Sequence, residues 1–391
     1  ETAMYPTYSK WIRSHRDLPL KLNQWSNVLR WEFSHPTPFI RSREFLWQEG
    51  HTAWATAEEA KAEAVQVLEL YRQLYEHLLA VPVITGRKTE KEKFPGADIT
   101  WSVEALIHTP GRGCQAATSH FLGQNFAKMF DIEFENEKRE KQFVWQNSWG
   151  CTTRSIGIMI MTHADDTGLV LPPRVGRLQV IIVPCGINAK ITETEKQTMT
   201  ALADQLNSQL TQKSIRSQVD GRSNVSVGWK FNNWELKGVP LRVEVGPKEV
   251  DGDTVPVVER FTGEKRAVAK ENFGDTIQSL LDGIHQKMLQ SAREKNTEKM
   301  HLVRSWDDFM NTVTAGGFPL APFCGAPACE DRIKKESAEC AKEAVTDVKA
   351  PSMGAKSLCI PLDQPDECLG KCILPTCESA GKAFTLFGRS Y

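Results

Sequence analysis

The side chains best suited to chemistry in this 391-residue chain lie in one stretch, Val28–Ala53, V-L-R-W-E-F-S-H-P-T-P-F-I-R-S-R-E-F-L-W-Q-E-G-H-T-A. Arg30, Glu32, Arg41, Arg43, Glu49 and His51 recur there at the two-residue spacing of side chains that share one side of a strand. Such a pattern has two readings: a solvated strand face, or the floor of a cleft. Trp25, Trp31, Trp47 and Trp54 favour the cleft, because aromatics interleaved with guanidinium and carboxylate groups suit a planar or phosphorylated ligand. A second chemical stretch, Trp145–Ile160, carries Trp149, Thr152 and Arg154 ahead of an apolar run that opens at Gly157. A guanidinium at the start of a buried helix is costly unless it meets an anion or a π-face. Gln115, Thr118 and His120 form a third group. A lone histidine on an apolar strand is more often a satisfied core residue.

These groups need elements to hold them. The runs Leu22–Phe33 and Phe39–Trp54 flank Ser34-His35-Pro36-Thr37-Pro38, which reads as the loop of an antiparallel hairpin. Thr56 is placed to cap a helix with Ala64, Val67, Leu68, Tyr71, Leu74, Tyr75 and Leu78 along one face. Thr85–Lys93 is charged and bounded by breakers, either a solvated turn or a nucleic-acid contact. Ile99–Ile107 alternates as a strand and carries Glu104, and after a Gly111–Gly113 turn Ala116–Phe121 reads as its neighbour. Leu171-Pro172-Pro173-Arg174 punctuates the chain. Beyond it, the strand-like Leu178–Val183, the capping box Thr192–Glu195, and the strand-like Ile215–Val219, Leu241–Val245 and Val255–Glu259 predict a small α/β domain around a mixed sheet. Within it Gly228–Lys248 mixes Lys230, Glu235, Lys237, Arg242 and Glu244 with Trp229, Phe231 and Trp234. This is either an amphipathic helix or a surface on which splayed bases stack. A helix over Ile277–Met288 leads to a polar boundary at Glu294–Lys299.

Composition narrows the class. Formal net charge is −1, so a nucleic-acid partner would need a local basic patch. No apolar run reaches the roughly 18 residues of a membrane span, and no signal peptide is visible. Of the ten cysteines, six or more crowd into roughly the last 70 residues at short spacings, which favours a metal site in a reducing compartment. Cys324 and Cys329, with Cys372 and Cys377, suit tetrahedral thiolate coordination of structural zinc, and Cys340, Cys359 or Cys368 could replace a member of the second pair.

The hairpin R-W-E-F…P-F-I-R-S-R-E-F-L-W-Q-E-G-H resembles motif 2 of the class II aminoacyl-tRNA synthetases, in the form used by prolyl-tRNA synthetases of the eukaryote-like type. The resemblance continues through E-T-A-M-Y, C-Q-A-A-T-S-H-F-L-G-Q-N-F, Q-N-S-W-G-C-T-T-R-S-I-G (like motif 3), L-V-L-P-P-R-V, W-K-F-N-N-W-E-L-K-G-V-P and L-F-G-R-S-Y. It implies an α/β (α+β) architecture in three parts: a catalytic domain with an antiparallel sheet over 1–171, an α/β anticodon-binding domain with a mixed sheet over 172–290, and a small α/β zinc-type domain over 291–391. The implied activity is ligation of proline to tRNA. Rival readings are a threonyl-type synthetase and an inactive, tRNA-binding relative.

For the site, the resemblance implies ATP held by Arg30, Glu32, Arg41, Gln115, Thr118, Thr152 and Arg154. Arg30 and Arg154 act as the catalytic clamps, and magnesium lies near Glu32 or Gln115. Proline would meet Glu1, Arg30, Trp47, Glu49, His51, His120 and Trp149. The partners implied are L-proline, tRNA(Pro) and a second copy in a cytoplasmic homodimer. The family's motif 1 is expected to lie upstream of Glu1. With only about 95 residues between the hairpin and Trp149, no inserted editing domain is expected. The tail Phe384–Tyr391 is expected to dock back onto the catalytic part.

Overall fold

The computed structural model describes residues 1–31, 36–186, 191–344, 354–367 and 369–391, without the side chains of 340–344. The chain forms two compact units, one of Glu1–Glu76, Pro82–Ile158 and Glu294–Tyr391, the other of His77–Val81 and Met159–Arg293.

In the first unit α1 (Tyr5–Trp11) precedes the hairpin strands β1 (Leu20–Leu29) and β2 (Glu44–Trp54). The hairpin pairs antiparallel from Leu20↔Ala53 to Leu29↔Glu44, so its loop is longer than the alternation of apolar residues predicts. Pro36 and Pro38 have no N–H for the ladder, and Phe39 adopts a φ of 60°, a left-handed conformation incompatible with a strand. Helix α2 (Ala57–Gln73) starts where Thr56 caps it, its hydroxyl accepting from Glu59 N, and buries Ala60, Ala64, Val67 and Leu68. Then come β3 (Val83–Arg87), β4 (Ile99–Ile107), β5 (Arg112–Gly123), a short α3 (Asn125–Met129), the small hairpin β6 (Glu133–Glu135) and β7 (Lys141–Phe143), β8 (Trp145–Thr152) and α4 (Arg154–His163).

The second unit is built on β9 (Val180–Pro184), α5 (Glu193–Gln212), β10 (Ser217–Val219), α6 (Val227–Leu236), β11 (Leu241–Val245), α7 (Pro247–Asp251), β12 (Thr254–Glu259), β13 (Lys265–Ala269) and α8 (Phe273–Lys299). Its sheet runs β10-β9-β11-β12-β13, parallel for the first three strands and antiparallel for the rest. This is the mixed sheet that the alternation of strands and helices predicts. The Thr192–Glu195 capping box forms as its spacing requires, and Met199, Leu202, Leu206 and Leu210 are buried along α5. The polar run Glu294–Lys299 begins where the second unit ends, at Arg293, so the boundary falls where the sequence places it, and the 27-residue helix α8 runs through it unbroken.

The C-terminal part holds β14 (Met300–Leu302), α9 (Trp306–Thr314), β15 (Phe318–Phe323), α10 (Pro327–Ala344), β16 (Lys356–Pro361) and β17 (Ala383–Gly388). Its strands extend the sheet of the N-terminal part into ten strands, ordered β1-β2-β8-β5-β4-β3-β16-β17-β15-β14. The join is β3 against β16, with Arg87 opposite Ile360. Lys88, at the end of β3, is buried there: its ammonium lies 2.6 Å from the Glu104 carboxylate and donates to the Leu358 carbonyl at 2.6 Å. Thr85–Arg87 therefore belongs to a strand, and Lys88 lies in the interior, where a solvated turn is one reading of the sequence. The tail docks beside the first turn of β5, with Gly113 N donating to Arg389 O and Tyr391 N to Gly113 O. Among the described residues no helix is long and apolar enough to cross a membrane.

Candidate active site

The antiparallel register lines up three rows of side chains across β2, β8, β5 and β4. Trp47 stands opposite Thr152. Glu49 is level with Gly150, Thr118 and Ser102. His51 is level with Ser148, His120 and Thr100. Directly paired residues share a face, so these positions converge on one side of the sheet. Two glycines make room: a Cβ on Gly150 would meet the Trp47 ring at 2.8 Å, and one on Gly50 would meet the Trp149 ring at 2.2 Å. The first pair lies on the site face and the second on the opposite face. Trp149 therefore stands away from Trp47, Glu49 and His51, lining a separate apolar hollow with Trp25, Leu46 and Leu70. It is not part of the amino-acid pocket that the resemblance implies, because a strand side chain one residue out of phase with Ser148 and Gly150 points the other way.

At the open end of the rows is a cavity of about 190 Å³ lined by Arg30, Arg41, Gln115, Thr118, Thr152 and Arg154, with Phe45 and Trp47 as its aromatic walls. Arg30 lies 5.1 Å from the Trp47 ring and 5.8 Å from the Phe45 ring. Arg154 is fixed at the start of α4: its Nε donates to the Ile40 carbonyl at 2.9 Å, its Nη1 to the Gln115 carbonyl at 3.1 Å, and its backbone N–H to Thr152 Oγ1 at 3.1 Å. Burial, and then the nearby positive charge of Arg154, lower the Arg41 pKa. Two guanidiniums held together in a half-closed hollow form a preorganised site for an anion. Trp47 Nε1 is buried with no partner among the described residues, leaving a donor for a ligand acceptor. Burial pushes the Cys151 thiol up to about 11, so this cavity-lining cysteine stays protonated at neutral pH.

At the closed end is a polar cluster. The Ser148 hydroxyl donates to the Glu1 carboxylate at 2.8 Å. His51, 1% exposed, has Nδ1 3.0 Å from the Tyr5 hydroxyl and Nε2 3.2 Å from Glu49. Hydrogen bonds from His51 and Gln24 hold the Glu49 carboxyl below the usual range. Burial lowers His120 to about 4, so it is a neutral imidazole, 3.0 Å from Thr100 Oγ1. Glu1 and Glu49 supply carboxylates for a cationic group, while the neutral His120 imidazole can donate or accept without adding charge. Tyr5, Ser148 and Thr100 carry no chemical signal in the sequence. Phe45 does, since it continues the alternation Trp47, Glu49, His51. Glu32 lies outside the described residues.

In the second unit, a cavity of about 450 Å³ is lined by Trp234, Glu235, Arg242, Glu244, Arg260 and Lys265. Arg242 bridges Glu235 at 2.7 Å and Glu244 at 3.2 Å, and lies 3.9 Å from the Phe231 ring. Trp229 is exposed, with Arg222 4.8 Å from its ring. Lys230 is buried, donating to Asp220 O at 2.9 Å, and so serves the fold and no surface. Near the C-terminus the sulfurs of Cys324, Cys329, Cys372 and Cys377 all lie within 4.8 Å of one another, and all four are free thiols. Four thiolates about 2.3 Å from a common centre would be separated by just such distances, so the set fits tetrahedral zinc. Cys359 is buried beside Gly86, away from that set. Cys368 and the side chain of Cys340 lie outside the described residues.

Three family profiles match in succession: the tRNA synthetase class II core domain (G, H, P, S and T) over residues 1–163, the anticodon binding domain over 179–280, and the prolyl-tRNA synthetase C-terminal domain over 306–391. The whole chain is 50% identical to the cytoplasmic proline--tRNA ligase of Arabidopsis thaliana, spanning 71% of it, and 49% identical to the proline--tRNA ligase of Encephalitozoon cuniculi, spanning 77%. It is 53% identical to the bifunctional glutamate/proline--tRNA ligase of Drosophila melanogaster, 23% of which it spans. Against that enzyme and its Cricetulus griseus and Mus musculus counterparts, the chain spans about a quarter of the relative's length. Crystal structures of the Cryptosporidium parvum prolyl-tRNA synthetase, one with halofuginone and AMPPNP and one with L-proline and AMP, superpose with a TM-score of 0.92 at 47% and 48% identity. The match covers 99% and 100% of this chain, and 76% and 77% of those chains.

Proposed function

This chain belongs to the prolyl-tRNA ligase family of class II aminoacyl-tRNA synthetases, and on that footing we propose that it activates L-proline with ATP and transfers the prolyl group to tRNA(Pro). The observation that carries the reading is the convergence of Arg30, Arg41 and Arg154 on one cavity, with the Glu49 carboxylate in the next row of the same sheet face and the Glu1 carboxylate accepting from Ser148 in the row beyond. The cavity would take the nucleotide, with its base on Phe45 and its α-phosphate on Arg30. Arg41 and Arg154 would hold the far phosphates or the adenine edge, and Gln115, Thr118 and Thr152 would position the remainder. The proline imino group would meet Glu1, with Trp47, Glu49, His51 and His120 shaping its pocket. Trp149 is left out of this assignment.

The first step needs alignment and charge neutralisation more than proton transfer, because the attacking carboxylate is already ionised. A proline carboxylate oxygen bonds to the α-phosphorus while the bond from that phosphorus to the bridging oxygen breaks. The electron pair leaves on the diphosphate. In the second step a terminal ribose hydroxyl of the tRNA attacks the prolyl carbonyl, its proton is lost, and AMP departs. Magnesium, when bound, would neutralise phosphate charge. Since no carboxylate lines the nucleotide cavity among the described residues, phosphate oxygens and Gln115 would hold it.

In the second unit, the cavity around Glu235, Arg242 and Glu244 offers paired donors and acceptors for anticodon base edges, and the exposed Trp229 offers a stacking face. The four clustered cysteines would hold a structural zinc ion, with no open position for catalysis. We also propose the division into catalytic, anticodon-binding and C-terminal zinc-type domains, and a cytoplasmic homodimer as the working form. The name of the Arabidopsis relative supports the compartment. The test is amino-acid-dependent ATP–pyrophosphate exchange with proline, threonine, alanine and cysteine in parallel. Exchange with proline alone, abolished by Arg30→Ala and Arg154→Ala, is the expected result. Exchange with none of the four while tRNA still binds would leave a binding protein in its place.

A further inference from the structure

Beside the nucleotide cavity lies a second, strongly polar one of about 240 Å³, and Arg41, Gln115 and Arg154 line both. Its other walls come from the two sides of the β3–β16 join: Lys88 and Glu104 on one side, Lys356 on the other, with the docked tail closing one end. Four cations face two carboxylates, Glu92 and Glu104. Lys88 is paired with Glu104 at 2.6 Å, whereas Lys356, half-buried at the start of β16, has no ion-pair partner among the described residues. A cavity that continues past two crowded guanidiniums to an unpaired ammonium suits an anion with more than one phosphate, and the two carboxylates suit a divalent ion travelling with it.

We propose that this second cavity receives the diphosphate released when the adenylate forms, and that Lys356 is the residue of the C-terminal part that binds it. This deepens the function proposed above and rests on it. As the bond from the α-phosphorus to its bridging oxygen breaks, the departing diphosphate carries away the electron pair and negative charge. Arg41 and Arg154 lie on the wall common to both cavities, so the group passes from one to the other without losing its cationic partners. The C-terminal part thereby contributes a side chain to the leaving-group end of the reaction.

The test is calorimetric titration of the full chain with inorganic pyrophosphate in magnesium buffer, and separately with AMP. Lys356→Ala is expected to weaken pyrophosphate binding roughly tenfold and to leave AMP binding within about twofold. Lys335→Ala, in the outer groove beside Lys356, is expected to change neither. Unchanged pyrophosphate affinity in Lys356→Ala overturns the proposal, as does equal loss of both titrants or absence of pyrophosphate binding by the native chain. The exchange assay separates this from the underlying reading. A chain that binds pyrophosphate through Lys356 yet exchanges with no amino acid keeps the cavity and loses the enzyme. Proline exchange with pyrophosphate affinity indifferent to Lys356 keeps the enzyme and loses the cavity.

Discussion

Replacing Lys88 by methionine removes one half of a buried ion pair at the β3–β16 join. The Lys88 side chain is 8% exposed and that of Glu104 1%, with 2.6 Å between their charged atoms, so solvent screens the pair little. Lys88→Met leaves the buried Glu104 carboxylate without its hydrogen-bonded ion-pair partner and the Leu358 carbonyl without its donor. Breaking such a pair from one side costs about 3–5 kcal/mol. At roughly 2–4 °C per kcal/mol for a unit of this size, the melting midpoint should fall by about 6–20 °C. The double variant Lys88→Met/Glu104→Leu removes the stranded charge with the partner and should recover most of that loss, since apolar replacement of a whole buried pair is often neutral. Urea denaturation would measure the change, and hydrogen exchange at the amides of β3, β4 and β16 would assign it to this unit. A single variant within about 1 kcal/mol of the native chain would refute the reasoning, as would a double variant no better than the single.

Three further outcomes follow from the geometry. Trp47→Phe should raise the KM for proline or ATP several-fold, whereas Trp149→Phe, on the far face, should leave both within about twofold; the reverse order in exchange kinetics would invalidate the face assignment. His120 is held at about 4 by burial, against about 6.5 in an unfolded chain. The unfolded state therefore takes up a proton that the folded state refuses as pH falls from about 6.5 to 4, and up to about 3 kcal/mol of stability is lost across that window and none above it. His120→Gln should flatten this part of the melting-temperature profile, and an unchanged slope would count against it. Removing metal with a chelator, or Cys372→Ser, should loosen the packing of Phe323, Cys324 and Ile373 and release about one zinc per chain, read by a colorimetric metal indicator.

Much of the site is legible in the sequence because strands and caps are local. The alternation of Trp47, Glu49 and His51 places them on one face wherever the strand ends, and Thr56 and Thr192 cap their helices through bonds to residues three positions on. Trp149 shows a partly hidden signal. Its three-residue spacing from Thr152 puts the two on opposite faces once Trp145–Thr152 is a strand, but the apolar run after Gly157 directs attention to a helix. Lys88 is illegible for a different reason. The carbonyl that accepts from it is 270 residues away, and nothing in T-G-R-K-T-E-K-E-K marks one lysine of the run as an interior residue. The same holds for β14–β17, since nothing in their sequence says which sheet they join. Glu294–Lys299 is legible as a boundary, since the chain leaves the second unit at Arg293, but its polar composition does not show that the crossing is made on the last turns of a long helix.

The ten-stranded sheet also has a kinetic consequence. Its two halves pair through residues such as Arg87 and Ile360, separated in sequence by nearly all of the second unit. A chain with such non-local pairing folds slowly, since ordering so long a loop precedes any gain from the contacts that close it. The second unit's strands, Val180–Ala269, pair only among themselves, and can form early. Until the halves meet, β3 and β16 present unpaired edges, and an open edge is a template for another chain. The concentration of newly made protein, more than its final stability, should therefore govern how much of it reaches the native state.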